Sequence, residues 1–271
     1  MRAPAPAKIN LALVVGPVRD DGKHELLTVY QRVGIADRIE LDPSATLSVW
    51  GFAGDTLVRS ALEALAARAG VASGWRVQIE KRLPVAAGIG GGSSDAATAL
   101  RLANATLTEP LGADDLHAIA AGVGADVPFF LADGPQLGAD DGTTLTGLDL
   151  PQDYWVVLVV PRAAQKQSTA AVYAAFDARG GATGWKERRA ALLDALERVR
   201  RPRDLAALPL NDLASSPLAD ELRALGAFRA DVTGAGPAVY GLFHHEAVAT
   251  AAKRALKRAG DTWLTAPAWY G

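Results

Sequence analysis

The run from Pro84 to Ala97 constrains this chain more than any other segment: Pro-Val-Ala-Ala-Gly-Ile-Gly-Gly-Gly-Ser-Ser-Asp-Ala-Ala. It follows Arg76 to Glu80, whose alternation of polar and apolar residues predicts a half-buried strand. It opens a segment in which Ala96, Ala97, Leu100, Ala103 and Leu107 recur at helical spacing. A glycine-rich turn between a strand and a helix lets several backbone N–H groups converge on one point, and the helix start adds partial positive charge. Such a place suits a phosphate-bearing ligand. Ser93 or Ser94 is the expected N-cap, with Asp95 in the first helical turn.

Composition narrows the partners. The net charge of −2 gives no electrostatic case for nucleic acid. The basic groups at Lys186 to Arg189 and Arg198 to Arg203 read as solvated helix face and loop. There is no cysteine, which excludes disulfides, thiolate nucleophiles and Cys-ligated metal centres. The N-terminal Met-Arg-Ala-Pro-Ala-Pro has no apolar targeting core, and the apolar run Tyr154 to Val160 is too short to span a bilayer. A cytoplasmic protein without membrane contact, as a monomer or weak homodimer, is the expectation.

Ile9 to Val15, Ile35 to Leu41, Thr46 to Trp50 and Trp155 to Val160 read as strands. Ser60 to Ala69, stopped by Gly70, and Asp114 to Ala121 read as helices. Further helices are expected over Ala170 to Ala178, Lys186 to Val199, Leu218 to Leu225 and Glu246 to Arg258. Between the last two, Asp231 to Thr233 and Ala238 to Phe243 flank a Gly-Ala-Gly-Pro turn. Strands and helices alternate without a strict βαβ rhythm, so the fold class is α+β. The Gly-, Asp- and Thr-rich stretch from Ala132 to Leu150 reads as a hairpin plus crossover that ends a first domain, residues 1–150, before a second, residues 151–271.

Common nucleotide motifs fail. Gly16 to Gly22 has five residues between its glycines and is followed by Lys23-His24, so it is no P-loop. Gly88-Ile89-Gly90 is followed at the third glycine position by Ser93, so the dinucleotide fingerprint fails as well. The protein-kinase signature set is absent.

The glycine run has company. Pro6-Ala7-Lys8-Ile9-Asn10-Leu11 precedes it, and Thr233-Gly234-Ala235-Gly236-Pro237 follows it. These three segments, in this order and over nearly the whole chain, resemble the GHMP kinases. Asp21-Gly22-Lys23-His24-Glu25-Leu26, Lys81-Arg82-Leu83-Pro84 and Gly124 to Phe130 further resemble one branch of that family. The resemblance implies two domains, the second a ferredoxin-like α/β sandwich, with the active site in the cleft between them. It implies transfer of the γ-phosphate of ATP to the 2-hydroxyl of a small-molecule substrate, cytidine diphosphate methylerythritol, in non-mevalonate isoprenoid biosynthesis. Another small-molecule kinase of homoserine or mevalonate type, or a nucleotide-binding relative without catalysis, is the alternative.

Residue by residue, the resemblance assigns the ATP phosphates to the loop formed by Pro84, Val85, Ala86, Ala87, Gly88, Ile89, Gly90, Gly91, Gly92, Ser93 and Ser94. Lys81 either reaches the nucleotide or is a surface lysine at the strand end. Asp126, on its own a turn or cap aspartate, becomes the base that accepts the hydroxyl proton. Lys8 becomes its partner, able to orient it and to offset charge on the incoming oxygen or the γ-phosphate. Asn10, two residues on, shares a sheet face with Lys8 and is expected to touch the substrate. His24 reads the cytosine and Tyr173 stacks on it, with Thr169 a substrate contact or helix cap.

Two positions depart from the family pattern: Lys23 replaces the usual tyrosine before His24, and Thr56 replaces the usual asparagine before Leu57. Mg²⁺ is expected with ATP. The four histidines show no metal spacing, and the candidate oxygen donors are Ser94, Asp95 and Asp126.

Overall fold

A computed structural model describes residues 1–72, 74–162 and 168–268. Its frame is a long antiparallel ribbon, β1 (Arg2–Val18) with β2 (His24–Pro43). The expected first strand, Ile9 to Val15, is only the middle of β1, which runs on through Pro4, Pro6, Gly16 and Pro17. Proline is tolerated there because β1 pairs with β2 alone, so one of its edges needs no ladder donor. On its other side β2 meets two partners in succession. Leu26 to Tyr30 pairs with β5 (Gln136–Asp140), and Arg38 to Pro43 with β4 (Trp75–Glu80). β3 (Ser48–Trp50) and β6 (Thr144–Gly147) complete a sheet of order β3-β4-β2-β5-β6. The Gly-, Asp- and Thr-rich stretch, expected to hold a hairpin, carries the β5–β6 hairpin of this sheet.

Helices α1 (Leu57–Ala69), α2 (Gly91–Asn104) and α3 (Ala113–Val123) share a core with this sheet, formed by Leu62, Leu65, Val77, Ile79, Leu100 and Phe129 among others. Burial strictly alternates along β4, as its sequence predicts. Gly70 ends α1 in the left-handed conformation. The start of α2 differs from expectation. Its N-cap is Gly90, in the left-handed region, so Ser93 and Ser94 lie inside the helix and Asp95 falls beyond the first turn. The positive φ needs a residue without Cβ, and the serine side chains are released from capping.

The second sheet, of order β10-β7-β9-β8, is antiparallel. It contains β7 (Trp155–Pro161), β8 (Arg229–Val232), β9 (Val239–Phe243) and β10 (Gly260–Thr265). Fourth, first, third, second is the strand order of the ferredoxin-like split βαβ motif. The helices of this half of the chain are α4 (Thr169–Ala178), whose Val172 and Phe176 pack with Leu13 and Val15 of β1, α5 (Trp185–Arg198), α6 (Pro217–Ala224) and α7 (Glu246–Ala255). β10 was not legible in the sequence, because its burial does not alternate. No helix among the described residues is long and apolar enough to cross a membrane.

One apolar cluster joins the two sheets. Ile9, Leu11 and Val29 from the first pack with Val156, Leu158, Tyr240 and Leu242 from the second and with Leu192 of α5. Each of these residues is fully or almost fully buried, and burying one such aliphatic side chain contributes about 1.5–3 kcal/mol. Arg188, expected on a solvated face, instead pins α5 to β1. It donates to the carbonyl oxygens of Val15 and Gly181 at 3.0 and 2.8 Å and pairs with Asp212 at 3.0 Å.

The glycine loop meets the second sheet as closely as backbone allows. A Cβ on Gly88, where φ is +80°, would lie 2.5 Å from the carbonyl oxygen of Thr233 and 2.9 Å from that of Gly236. Gly88→Ala therefore destabilises the fold through both strain and clash, by about 1–3 kcal/mol. A fall in the urea unfolding midpoint checks it; an unchanged midpoint would mean that the 233–237 turn moves aside freely.

Candidate active site

β1 places Lys8 and Asn10 on one face of the ribbon, opposite Arg32 and Tyr30 of β2. A register shift follows immediately between Asn10 and Ala12, the kind of local irregularity that re-aims side chains beside a site. Lys8 is almost wholly buried, and a buried ammonium is stable only with partners. It has three. Its Nζ donates to Asn10 Oδ1 at 2.6 Å, lies 3.3 Å from Asp126 Oδ2, and stands 5.6 Å from the centre of the Tyr30 ring. Asn10 is fixed in turn, its Nδ2 donating to Thr28 Oγ1 at 2.8 Å and its backbone N–H to Thr233 Oγ1 at 3.0 Å.

Asp126 sits in the turn between α3 and the one-turn 3₁₀ helix Pro128–Phe130. Its side chain keeps about a third of its surface exposed. The other carboxylate oxygen, Oδ1, accepts from the Tyr30 hydroxyl at 3.2 Å.

The glycine loop closes the same cavity. Lys8 N–H donates to Ile89 O at 2.9 Å, and Ala238 N–H to Ala87 O at 3.0 Å, so the loop is held by its carbonyls. Among the described residues, no N–H from Gly88 to Ser93 has a protein acceptor. Unpaired donors at a glycine turn and helix start are the equipment of an anion cradle. Lys8, Asn10, Ala86, Gly88, Gly90, Ser93 and Asp126 all line one cleft of about 750 Å³. His24, Thr169 and Tyr173 line its other end. Ten of the residues singled out in the sequence thus face a single cavity. The rest of the loop does not: Ala87 and Ile89 are buried behind it, Val85 points to solvent, and Ser94 is buried with its hydroxyl unpartnered.

Lys81 is not a surface lysine, and it does not line this cleft. Its Nζ bridges Asp37 at 2.5 Å and Asp95 at 2.8 Å. Burial alone would lower its pKa, and the hydrogen bonds to these two carboxylates outweigh that and raise it. Asp37 also accepts the N–H groups of Arg82 and Leu83, so the triad clamps the approach to the loop onto the helix that leaves it. Burial raises Asp95 to about 7, the charge of Asp37 adding and Lys81 opposing.

At the far end, His24 Nε2 and Asp177 Oδ1 are 2.8 Å apart; since a carboxylate only accepts, Nε2 carries the proton. The His24 ring lies 4.7 Å from that of Tyr173, tilted by 34°. Thr169 is not the helix cap; Ser168 is, its hydroxyl accepting from Ala171 N–H at 3.1 Å. Lys23 reaches Asp141 at 2.6 Å, and its hydrogen bonds with Thr143 and that lysine overcome burial and hold Asp141 down at about 2.

Sequence reasoning missed Tyr30, Thr28, Asp37, Asp141 and Asp177. For Asp177 a signal existed: it stands four residues after Tyr173, on the same helix face. The others come from β2 and its hairpin neighbour, and only strand register brings them in.

The chain matches the GHMP kinases N terminal domain over residues 56–134 and the GHMP kinases C terminal region over 205–262. Together with the phosphate cradle, these define a small-molecule kinase of the GHMP class. A 4-diphosphocytidyl-2-C-methyl-D-erythritol kinase from Geobacter metallireducens is 34% identical, over 97% of this chain and 96% of its own length. One from Desulfitobacterium hafniense is 36% identical over 89% and 86%. A crystal structure of 4-(cytidine 5'-diphospho)-2C-methyl-D-erythritol kinase superposes with a TM-score of 0.80 at 32% identity, with both chains fully covered. A mevalonate kinase structure, at TM-score 0.72 and 13% identity over 98% and 99%, shares the fold. The chain belongs to the 4-diphosphocytidyl-2-C-methyl-D-erythritol kinase family.

The raised Asp95 has a consequence for stability. An unfolded aspartate titrates near about 3.9. Between about pH 4 and about 7 the folded chain keeps a proton that the unfolded chain has released, so stability falls as pH rises through that window. Asp95→Asn abolishes this proton difference. Urea unfolding at a series of pH values is expected to show a flatter curve for the variant; an identical slope would detach Asp95 from the effect.

Proposed function

We propose that this chain transfers the γ-phosphoryl group of ATP to the 2-hydroxyl of 4-diphosphocytidyl-2-C-methyl-D-erythritol, giving the 2-phosphate and ADP. The observation that carries the reading is the Lys8–Asp126 pair, 3.3 Å apart and facing the same cleft as the open N–H groups of the glycine loop.

Phosphoryl transfer asks a protein for positioning, charge neutralisation and a path for one proton. The loop N–H groups hold the phosphates. Asp126 accepts the proton of the substrate hydroxyl as its oxygen forms the new O–P bond and the bond to the β-phosphate oxygen breaks. Lys8, held between Asn10 and Asp126, presents positive charge where the transferred group becomes most negative. Asn10 orients the substrate beside it. At the other end, His24 supplies a ring and a hydrogen-bonding edge for the cytosine, and Tyr173 an aromatic plane. Lys23 stands where a flat tyrosine would otherwise close the stack.

Among the described residues, no group of three or more His, Cys, Asp or Glu is arranged to hold a metal ion. Mg²⁺ bound with the triphosphate would offset its charge. The protein oxygens that face the cleft beside the loop are those of Ser93 and Asp126. The reaction as written needs neither membrane nor nucleic acid, and one chain carries all of the named groups.

ADP release measured with the cytidyl, mevalonate and homoserine substrates tests the assignment; turnover is expected with the first alone, and preference for homoserine would overturn it. Asp126→Ala is expected to lower kcat by about two to four orders of magnitude, the usual worth of a positioned acid–base group. Lys23→Tyr is expected to lower KM for the cytidyl substrate with little effect on KM for ATP. No change would take position 23 out of contact with the base.

A further inference from the structure

Among the described residues, one side chain outside the expected set touches both members of the pair. The Tyr30 hydroxyl donates to Asp126 Oδ1 at 3.2 Å, and the Lys8 ammonium lies 5.6 Å from the Tyr30 ring centre. The ring is only 2% exposed and is stacked on Phe129, 4.8 Å between centres and 25° between planes. Phe129 lies three residues beyond Asp126, in the 3₁₀ helix that follows its turn, so that stack steadies the segment carrying the carboxylate. β2 supplies Tyr30 directly opposite Asn10, the other hydrogen-bond partner of Lys8.

The neighbouring hairpin is shaped to admit this ring. A Cβ on Gly138 of β5 would lie 2.5 Å from Tyr30 Cε2, and one on Gly142, in the turn after β5, would lie 2.8 Å from the hydroxyl oxygen. Two glycines of different elements thus leave the space that the phenol occupies. The ring is packed against both glycines, and its hydroxyl donates to one carboxylate oxygen.

We propose that Tyr30 is a positioning residue for phosphoryl transfer: its hydroxyl holds Oδ1 of Asp126, leaving Oδ2 turned to Lys8 and the substrate hydroxyl. The inference rests on the proposed role of Asp126 and adds to it. A carboxylate held at one oxygen by a phenol and at the other by an ammonium loses its freedom to rotate, so the lone pair that takes the proton is already in place when the hydroxyl arrives. The phenol stays a donor, because burial, and then the charge of Asp126, raise its pKa well above the ordinary tyrosine value. Tyr30 does not touch the reacting atoms and acts through Asp126 alone.

The test is Tyr30→Phe, which keeps the ring, its stack on Phe129 and its place under Lys8 while deleting the hydroxyl. Steady-state kinetics with saturating ATP and the cytidyl substrate are expected to show kcat lowered about 10- to 100-fold, what a hydrogen bond to a charged group is worth. KM for both substrates and the thermal midpoint are expected to hold. In an Asp126→Asn background the same substitution is expected to cost kcat almost nothing further, because the two groups act as one unit. Parental kcat in Tyr30→Phe, alongside a disabled Asp126→Ala, would overturn the inference and leave the role of Asp126 standing. Equal losses in kcat, KM and thermal midpoint, additive with Asp126→Asn, would reduce Tyr30 to a packing residue and overturn it too. Full turnover in Asp126→Ala would instead remove the reading on which it rests.

Discussion

The ammonium of Lys8 is the point on which this structure turns. A lysine almost wholly buried at the start of a β-ribbon would lower its charge or leave the core unless oxygen ligands met it. Asn10 and Asp126 meet it, and both are held elsewhere: Asn10 by Thr28 of β2 and Thr233 of the turn after β8, Asp126 by Tyr30. The same lysine holds the glycine loop through its own N–H and Ile89 O. One residue therefore ties the ribbon, the phosphate cradle and the acid-bearing turn into a fixed triangle. Solvation of a charge and assembly of the candidate site are here one requirement.

The two lysines near the cradle divide the work. Lys8 faces the cleft, where its charge is available to a ligand. Lys81 sits behind the loop between Asp37 and Asp95, where its charge is spent on protein carboxylates. That clamp fixes the backbone on both sides of the loop, so donor direction depends on it, although it does not line the cleft. The arrangement also explains why the loop can present so many unpaired N–H groups: its carbonyls and its flanks carry the anchoring, leaving the N–H groups open.

Much of the site was legible because its signals are local. Unbroken glycines between an alternating strand and an alanine-rich helix announce an anion cradle from sequence alone. The spacing of Lys8 and Asn10 places both on one sheet face, and they are hydrogen-bonded to each other. The boundaries of most helices were readable for the same reason. Errors arose where a local rule was overridden. Serine was expected to cap α2, but the left-handed turn at Gly90 took that position. The strand expected over Ile9 to Val15 runs on through the prolines that flank it, because an unpaired edge tolerates them. Arg188 looked solvent-facing by composition and became an anchor because Val15 O and Asp212 lie under it.

The primary structure by itself determined the α+β class and a glycine-rich turn at a helix start, since each depends on residue type and on spacing within a few positions; Asp126 and Lys8 were singled out as a pair only by the resemblance, because nothing local to either points to the other. What the folded chain alone decided is who holds whom. Tyr30, Asp37, Asp141 and Asp177 reach their partners from 44 to 153 residues away along the chain. Such encounters follow from strand register and from the packing of one sheet on another, and no local pattern encodes either.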